Sequence, residues 1–205
     1  MRMNRLLNLL LAMSLILTAC GIRNLPTSDE EHLRAGLDAY ERGDYARAVN
    51  NLKPLAERGD AVAQTKLGNM YYLGLGVPEN NKAAAKWLRK AADQGDLEAQ
   101  ITLGTLYILG VGVDQNYAEA AKLLRSPAEW GISGAQFILG MLYMNGQGVA
   151  QDPVQAYMWL GLAATGGSKA AIEARAKLTE KMTSEQISRA RAMEKNWKPH
   201  RLSGE

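Results

Sequence analysis

The chain has 205 residues, 47% hydrophobic and 22% charged, with 24 basic against 21 acidic residues and a formal net charge of +3. That composition is globular, the length suits one ordinary domain or a short repeat array, and the near-neutral balance excludes a chain-wide electrostatic pull toward nucleic acid. A single cysteine, Cys20, excludes an intramolecular disulfide and a cysteine metal cluster.

Residues 1–19 read as an export signal. Arg2 and Arg5 open the chain, residues 6–17 are apolar apart from Asn8 and Ser14, and Leu17-Thr18-Ala19-Cys20-Gly21 follows. A basic start, a short apolar stretch and small residues at the cut describe a secretory signal. The stretch is shorter than the about 20 apolar residues that span a bilayer. Leu17-Thr18-Ala19-Cys20 resembles the lipobox of bacterial lipoproteins. The resemblance implies cleavage before Cys20, a diacylglyceryl group on its thiol and acylation of the freed amine; two or more chains anchor stably. Gly21 after the cysteine, where an aspartate is absent, implies by the same resemblance the outer membrane of a Gram-negative bacterium, on its periplasmic side. Residues 20–30 are polar, contain Pro26 and read as the lipidated end and its tether.

A 36-residue period occupies most of what remains. Leu67-Gly68, Tyr71, Gly74, Gly76 and Val77 recur as Leu103-Gly104, Tyr107, Gly110, Gly112 and Val113, and again as Leu139-Gly140, Tyr143, Gly146, Gly148 and Val149. A unit of this length cannot bury its apolar face alone, so neighbours stack into a solenoid. Each copy divides into two helices. In the first, spacing predicts a helix over residues 65–73, a break at 74–78 and a second helix over 81–94. Leu67, Met70 and Tyr71 share one helical face, and Ala84, Trp87, Leu88, Ala91 and Ala92 share another. Gly74 and Gly95 sit where a helix end wants positive φ. Asn80, Asn116 and Asp152 are N-cap candidates, and Pro153 suits the first helical position. Gly68, Gly104 and Gly140 lie inside helices, where glycine costs about 0.5–1 kcal/mol against alanine, which points to close helix approach. Pro127 predicts a bend in its helix through a clash with the Leu123 carbonyl.

Residues 31–64 form a shorter-looped unit of the same kind, with Leu52, Gly59, Ala63 and Gln64 in register with Leu88, Gly95, Ala99 and Gln100. Residues 168–181 and 183–197 predict one more helix pair, capped at Thr183, and residues 173–205 read as capping helices and tail. Arg189, Arg191, Lys195, Lys198, His200 and Arg201 gather near the C-terminus, but Glu185 and Glu194 interrupt them, so they read as a solvated face.

The copies at 65–100, 101–136 and 137–172 resemble the Sel1-like repeat, a relative of the tetratricopeptide repeat, with Ala63, Ala99 and Ala135 as its opening alanines and Leu123 where the pattern has Trp. The resemblance implies an all-α, right-handed solenoid of stacked helix-turn-helix units. It implies an adaptor that binds proteins, in envelope assembly or secretion, rather than an enzyme.

Chemistry-bearing motifs are scarce. Three Gly-x-Gly pairs lack the preceding strand of a dinucleotide site. His32 and His200 lie near opposite ends of the folded region, no nucleophile–base set assembles, and no metal or cofactor is expected. The column of Tyr71, Tyr107 and Tyr143 reads as inter-helix core. If first helices line a concave face, as in tetratricopeptide-like stacks, its side chains are Lys66, Asn69 and Tyr72, then Thr102, Thr105 and Ile108, then Ile138, Met141 and Met144. The column passes from polar to apolar, and its Met-rich end suits peptide docking unless the terminal helices cover it. Two rivals stand beside the protein-binding reading. One is peptidoglycan or polysaccharide binding through Tyr72 and Trp130. The other is action on cell-wall precursors or β-lactams, for which the paired cysteines of such relatives are missing.

Overall fold

The computed structural model describes residues 28–200, in which ten α-helices and no strands occur among the described residues. Four helix pairs run in chain order: α1 (Ser28–Glu41) with α2 (Tyr45–Arg58), α3 (Ala61–Leu73) with α4 (Asn81–Asp93), α5 (Leu97–Leu109) with α6 (Tyr117–Glu129), and α7 (Ser133–Asn145) with α8 (Pro153–Thr165). Two further helices, α9 (Lys169–Thr179) and α10 (Ser184–Asn196), close the stack. The export signal, Cys20 and the tether as far as residue 27 lie outside the described residues, as does Arg201.

Local chemistry sets the helix ends. The side chains of Asn80, Asn116 and Asp152 accept hydrogen bonds from the first-turn N–H groups of α4, α6 and α8, and Pro153 opens α8. Gly74 adopts φ +66°, with Gly110 and Gly146 within two degrees of it, which leaves the last carbonyls of α3, α5 and α7 capped by the chain that follows. The loops then repeat bond for bond. The N–H of Asn80 donates to Tyr71 O at 2.8 Å, that of Asn116 to Tyr107 O at 2.9 Å and that of Asp152 to Tyr143 O at 3.1 Å. The sequence period is thus a geometric one.

The first helices start a turn earlier than the apolar spacing predicted. α3 begins at Ala61, not residue 65, because Asp60 accepts the Ala63 N–H at 2.7 Å; Asp96 does the same for Ala99 in α5. α6 runs unbroken through Pro127, which is fully buried, and α2 runs through Pro54 in the same way.

Packing explains the glycines inside helices. A Cβ on Gly68 would lie 2.8 Å from Leu88 Cγ, and one on Gly140 2.9 Å from Leu160 Cγ, so the two helices of a unit meet backbone to side chain with nothing between. The core has no single centre. Apolar clusters follow one another along the stack, the buried members of each drawn from two or three neighbouring helices: Leu52, Leu67 and Met70, then Leu88, Leu103 and Leu106, then Leu124, Leu139 and Leu142, then Leu160 and Leu178. Burying one leucine contributes about 1.5–3 kcal/mol, and here it does so only when the next unit is folded. Glutamines tie the seams, Gln64 and Gln136 buried and Gln100 half-buried: Gln64 Nε2 donates to Ala56 O at 3.0 Å, Gln100 to Ala92 O at 3.3 Å and Gln136 to Ala128 O at 3.0 Å.

The predicted last helix pair does not form as a pair of the repeat type. α9 and α10 both pack on α8 and make little contact with each other. Side chains at repeat positions account for it. Where the first helices of the units carry Leu67, Leu103 and Leu139, α9 carries Arg175, whose guanidinium cannot serve as a core contact; it bonds Glu194 at 2.7 Å and lies 4.0 Å over the Tyr157 ring. Gly161 clears the surface of α8 for this arrangement: a Cβ there would sit 2.7 Å from the Glu194 carboxylate.

Candidate partner-binding site

All nine side chains of the predicted column are half-buried: Lys66, Asn69 and Tyr72 on α3, Thr102, Thr105 and Ile108 on α5, and Ile138, Met141 and Met144 on α7. None is a fully buried core residue and none stands free in solvent. The helical spacing i, i+3, i+6 keeps each trio along one stripe, and the loops that repeat bond for bond keep the three stripes in register.

The polar end is already organised. Lys66 Nζ donates to both carboxylate oxygens of Glu98 at 2.9 and 2.8 Å, and Asn69 Nδ2 donates to Glu98 Oε1 at 2.8 Å. Glu98, in the first turn of α5, therefore bridges two units and fixes the charge of this stripe as a paired one. Glu98 stands one turn before the predicted trio of its helix. The signal was available, because Glu98, Thr102 and Thr105 stand at i, i+4, i+7 on one face. Thr102 and Thr105 turn their hydroxyls back to the helix carbonyls of Glu98 and Ile101 at 3.0 and 2.9 Å, leaving their methyls as the accessible surface. Tyr72 leans on the cluster of Leu88 and Leu103, Ile108 and Ile138 on that of Leu124 and Leu139, and Met141 and Met144 on that of Leu160 and Leu178. The apolar end is thus shared with the cluster that the terminal helices complete.

The tyrosine column is an inter-unit tie. Tyr71, Tyr107 and Tyr143 are half-buried against the core clusters. Arg89 of α4 donates to the Tyr107 hydroxyl with its guanidinium 5.2 Å from the ring centre, and Arg125 of α6 donates to the Tyr143 hydroxyl at 3.0 Å. The two glycan-stacking candidates are not brought together: Tyr72 packs between α4 and α5, whereas Trp130 follows α6 and meets His200 edge-on at 6.2 Å. Nor are the histidines, since His32 bonds Asn51 at 3.1 Å in the first unit. The C-terminal basic residues 189, 191, 195, 198 and 200 are exposed. The hydrogen bond from Arg191 to the Tyr157 hydroxyl holds that guanidinium's pKa above its ordinary value.

The Gly-x-Gly pairs serve packing. Gly76, Gly112 and Gly148, all at φ near +70°, press onto the backbone of Tyr45, Asn81 and Tyr117, the first residues of α2, α4 and α6. Each loop therefore sits on the preceding unit, a contact that no reading of a single copy reveals.

A family model, the Sel1 repeat, matches residues 61–96, 97–129 and 133–168. The chain belongs to the Sel1 repeat family. The matched segments begin where α3, α5 and α7 begin. Among solved structures, this Sel1 repeat chain is similar to a protective antigen of uropathogenic Escherichia coli with an SLR fold, at 38% identity and a TM-score of 0.67, covering 74% of this chain and 32% of that one. It is also similar to a Sel1 repeat protein from Oxalobacter formigenes, at 33% identity and a TM-score of 0.64, covering 68% and 58%. Over 56 residues it is 46% identical to an F-box protein of Arabidopsis thaliana, which is 27% of this chain and 15% of that protein. The chain thus spans only part of each relative. Sel1 repeat proteins generally act as protein–protein interaction scaffolds.

Proposed function

We propose that this protein is a non-catalytic scaffold of the Gram-negative envelope, held by acyl chains on Cys20 at the periplasmic side of the outer membrane, and that it recruits a protein partner of envelope assembly or secretion to its first-helix face. The observation that carries the reading is the register of that face. Three stripes of half-buried side chains, from Lys66 to Met144, run across three units and grade from a paired charge cluster at Glu98 to thioethers at Met141 and Met144. A ligand lying across it meets a surface already ordered by inter-unit bonds, which lowers the entropic cost of docking. Membership of a scaffold family and the lipobox-like segment at residues 17–20 support the rest.

The test is an affinity capture from native membranes with the full-length chain. Changing Asn69, Thr105 and Met141 together to alanine should remove at least nine-tenths of the captured partner while helicity stays unchanged. Cys20→Ser should release the protein from membranes without detergent. Capture unaffected by the triple change overturns the first-helix face, and membrane retention of the Cys20 variant overturns the anchor.

A further inference from the structure

The loop contacts define a seat that recurs and is then left open. Gly76 rests on Tyr45, Gly112 on Asn81 and Gly148 on Tyr117, and these three are the opening residues of successive second helices. The same spacing makes Pro153, the first residue of α8, the fourth seat. Among the described residues no glycine loop rests on it. α9 ends at Thr179, α10 starts at Ser184, and residues 180–183 contain no glycine and turn directly into α10. A groove of about 580 Å³ opens at this place, lined by Met144, Gln151, Pro153, Lys177, Leu178 and Lys181 among others.

The interior seats state what such a groove accepts. Each takes a glycine at positive φ whose backbone can touch backbone, followed by a valine that enters the core; the residue before it is Leu75 in the first case, Val111 in the second and Gln147 in the third. The fourth seat adds charge. At the positions of Lys177 and Lys181 the interior units have Asn69 and Leu73, Thr105 and Leu109, and Met141 and Asn145. Both lysines are exposed, and at these two positions only this seat carries basic side chains. Two ammonium groups beside an apolar floor complement carboxylates beside a glycine–aliphatic turn.

We propose that this groove docks an acidic, glycine-centred loop of a partner protein, which takes the place of the missing fourth repeat loop. The proposal rests on the reading of the chain as a protein-binding scaffold, but its groove shares only Met144 with the first-helix face and is lined by none of Asn69, Thr105 and Met141.

The chain's own first loop is the probe: a labelled peptide of residues 73–79, which carries both glycines, Leu75, Val77 and Glu79. Titrated against the full-length protein, it should bind saturably. Lys177→Glu combined with Lys181→Glu should weaken it at least tenfold, and so should alanine in place of the peptide's second glycine. The triple change on the first-helix face should leave it within twofold. No saturable binding at millimolar peptide, equal binding of a scrambled peptide of the same charge, or indifference to the charge reversal would each overturn the proposal, even where the triple change still abolishes capture from membranes. A concentration-dependent dimer that the charge reversal dissolves, with no peptide binding, would assign the groove to a second copy of the chain instead.

Discussion

The interior units and the C-terminal end of the molecule share one 36-residue register and use it differently. Position by position, Gln136 gives way to Ile172, Leu139 to Arg175 and Gly140 to Ala176, while Arg125, which ties its unit to Tyr143, gives way to Gly161. Inside the stack Gln136 bonds back to the Ala128 carbonyl of the preceding unit, Gly140 meets Leu160 of its own, and Arg125 reaches forward to Tyr143 of the next. At the end, Ile172 is 55% exposed, Arg175 turns to Glu194, and α10 lies down on α8 instead of pairing with α9. The stack therefore ends where the contacts that join the helices of one unit to each other and to the neighbouring units are exchanged for ones that lay both terminal helices on α8. Nearest-neighbour stacking makes such an exchange at one end cheap for the rest of the array.

The largest test of this contrast concerns glycines that share a backbone conformation and differ in surroundings. Gly148→Ala forces a Cβ into the backbone of Tyr117, whereas Gly95→Ala, at φ +91°, meets nothing within 4 Å. Urea denaturation should give a loss of about 3 kcal/mol for the first and about 1 kcal/mol for the second. Equal losses would mean that the loop's seat on the preceding unit contributes nothing.

A smaller effect separates the seam glutamine from its terminal counterpart. Gln136→Leu removes the side-chain donor to the Ala128 carbonyl, which keeps the Gly131 N–H at 3.0 Å, and should cost about 1.5 kcal/mol. Ile172→Gln at the exposed end should stay within about 0.5 kcal/mol. If the two changes cost the same, the seam bond is not what distinguishes interior from end.

The smallest expected change is at the stop itself. Arg175 and Glu194 remain about a quarter exposed, at 24% and 22%, so Arg175→Leu should cost about 1 kcal/mol. In a double-mutant cycle with Glu194→Gln the coupling should shrink in about 1 M salt, where the screening length falls to about 3 Å. A coupling that does not respond to salt would show that the stacking of Arg175 on Tyr157, not the ion pair, holds α10 in place.

Much of this was legible along the chain. Asn80, Asn116 and Asp152 were readable as caps and Gly74 as a left-handed stop, because capping and positive φ are local properties of a few consecutive residues. Gly68 and its repeats announced close approach because glycine inside a helix needs a reason. The early start of α3 was missed because Asp60 and Ala61 lie before the apolar periodicity begins, although Asp60 is an ordinary capping residue. The candidate site was legible as a column of residues but not as a surface: Glu98, which both Lys66 and Asn69 address, belongs to the next unit, and its helical spacing ties it to Thr102 and Thr105 rather than to the two residues it bonds.

The amino-acid order alone determined the period, the all-helical class and the place of nearly every turn, since each follows from side chains within a few residues of one another. Tertiary structure decided what each loop rests on, that Tyr107 and Tyr143 are held by arginines of the unit before, and that the last two helices part company on α8. These are contacts between segments some 18 to 36 residues apart, and their outcome depends on which surface the neighbour offers once it has folded.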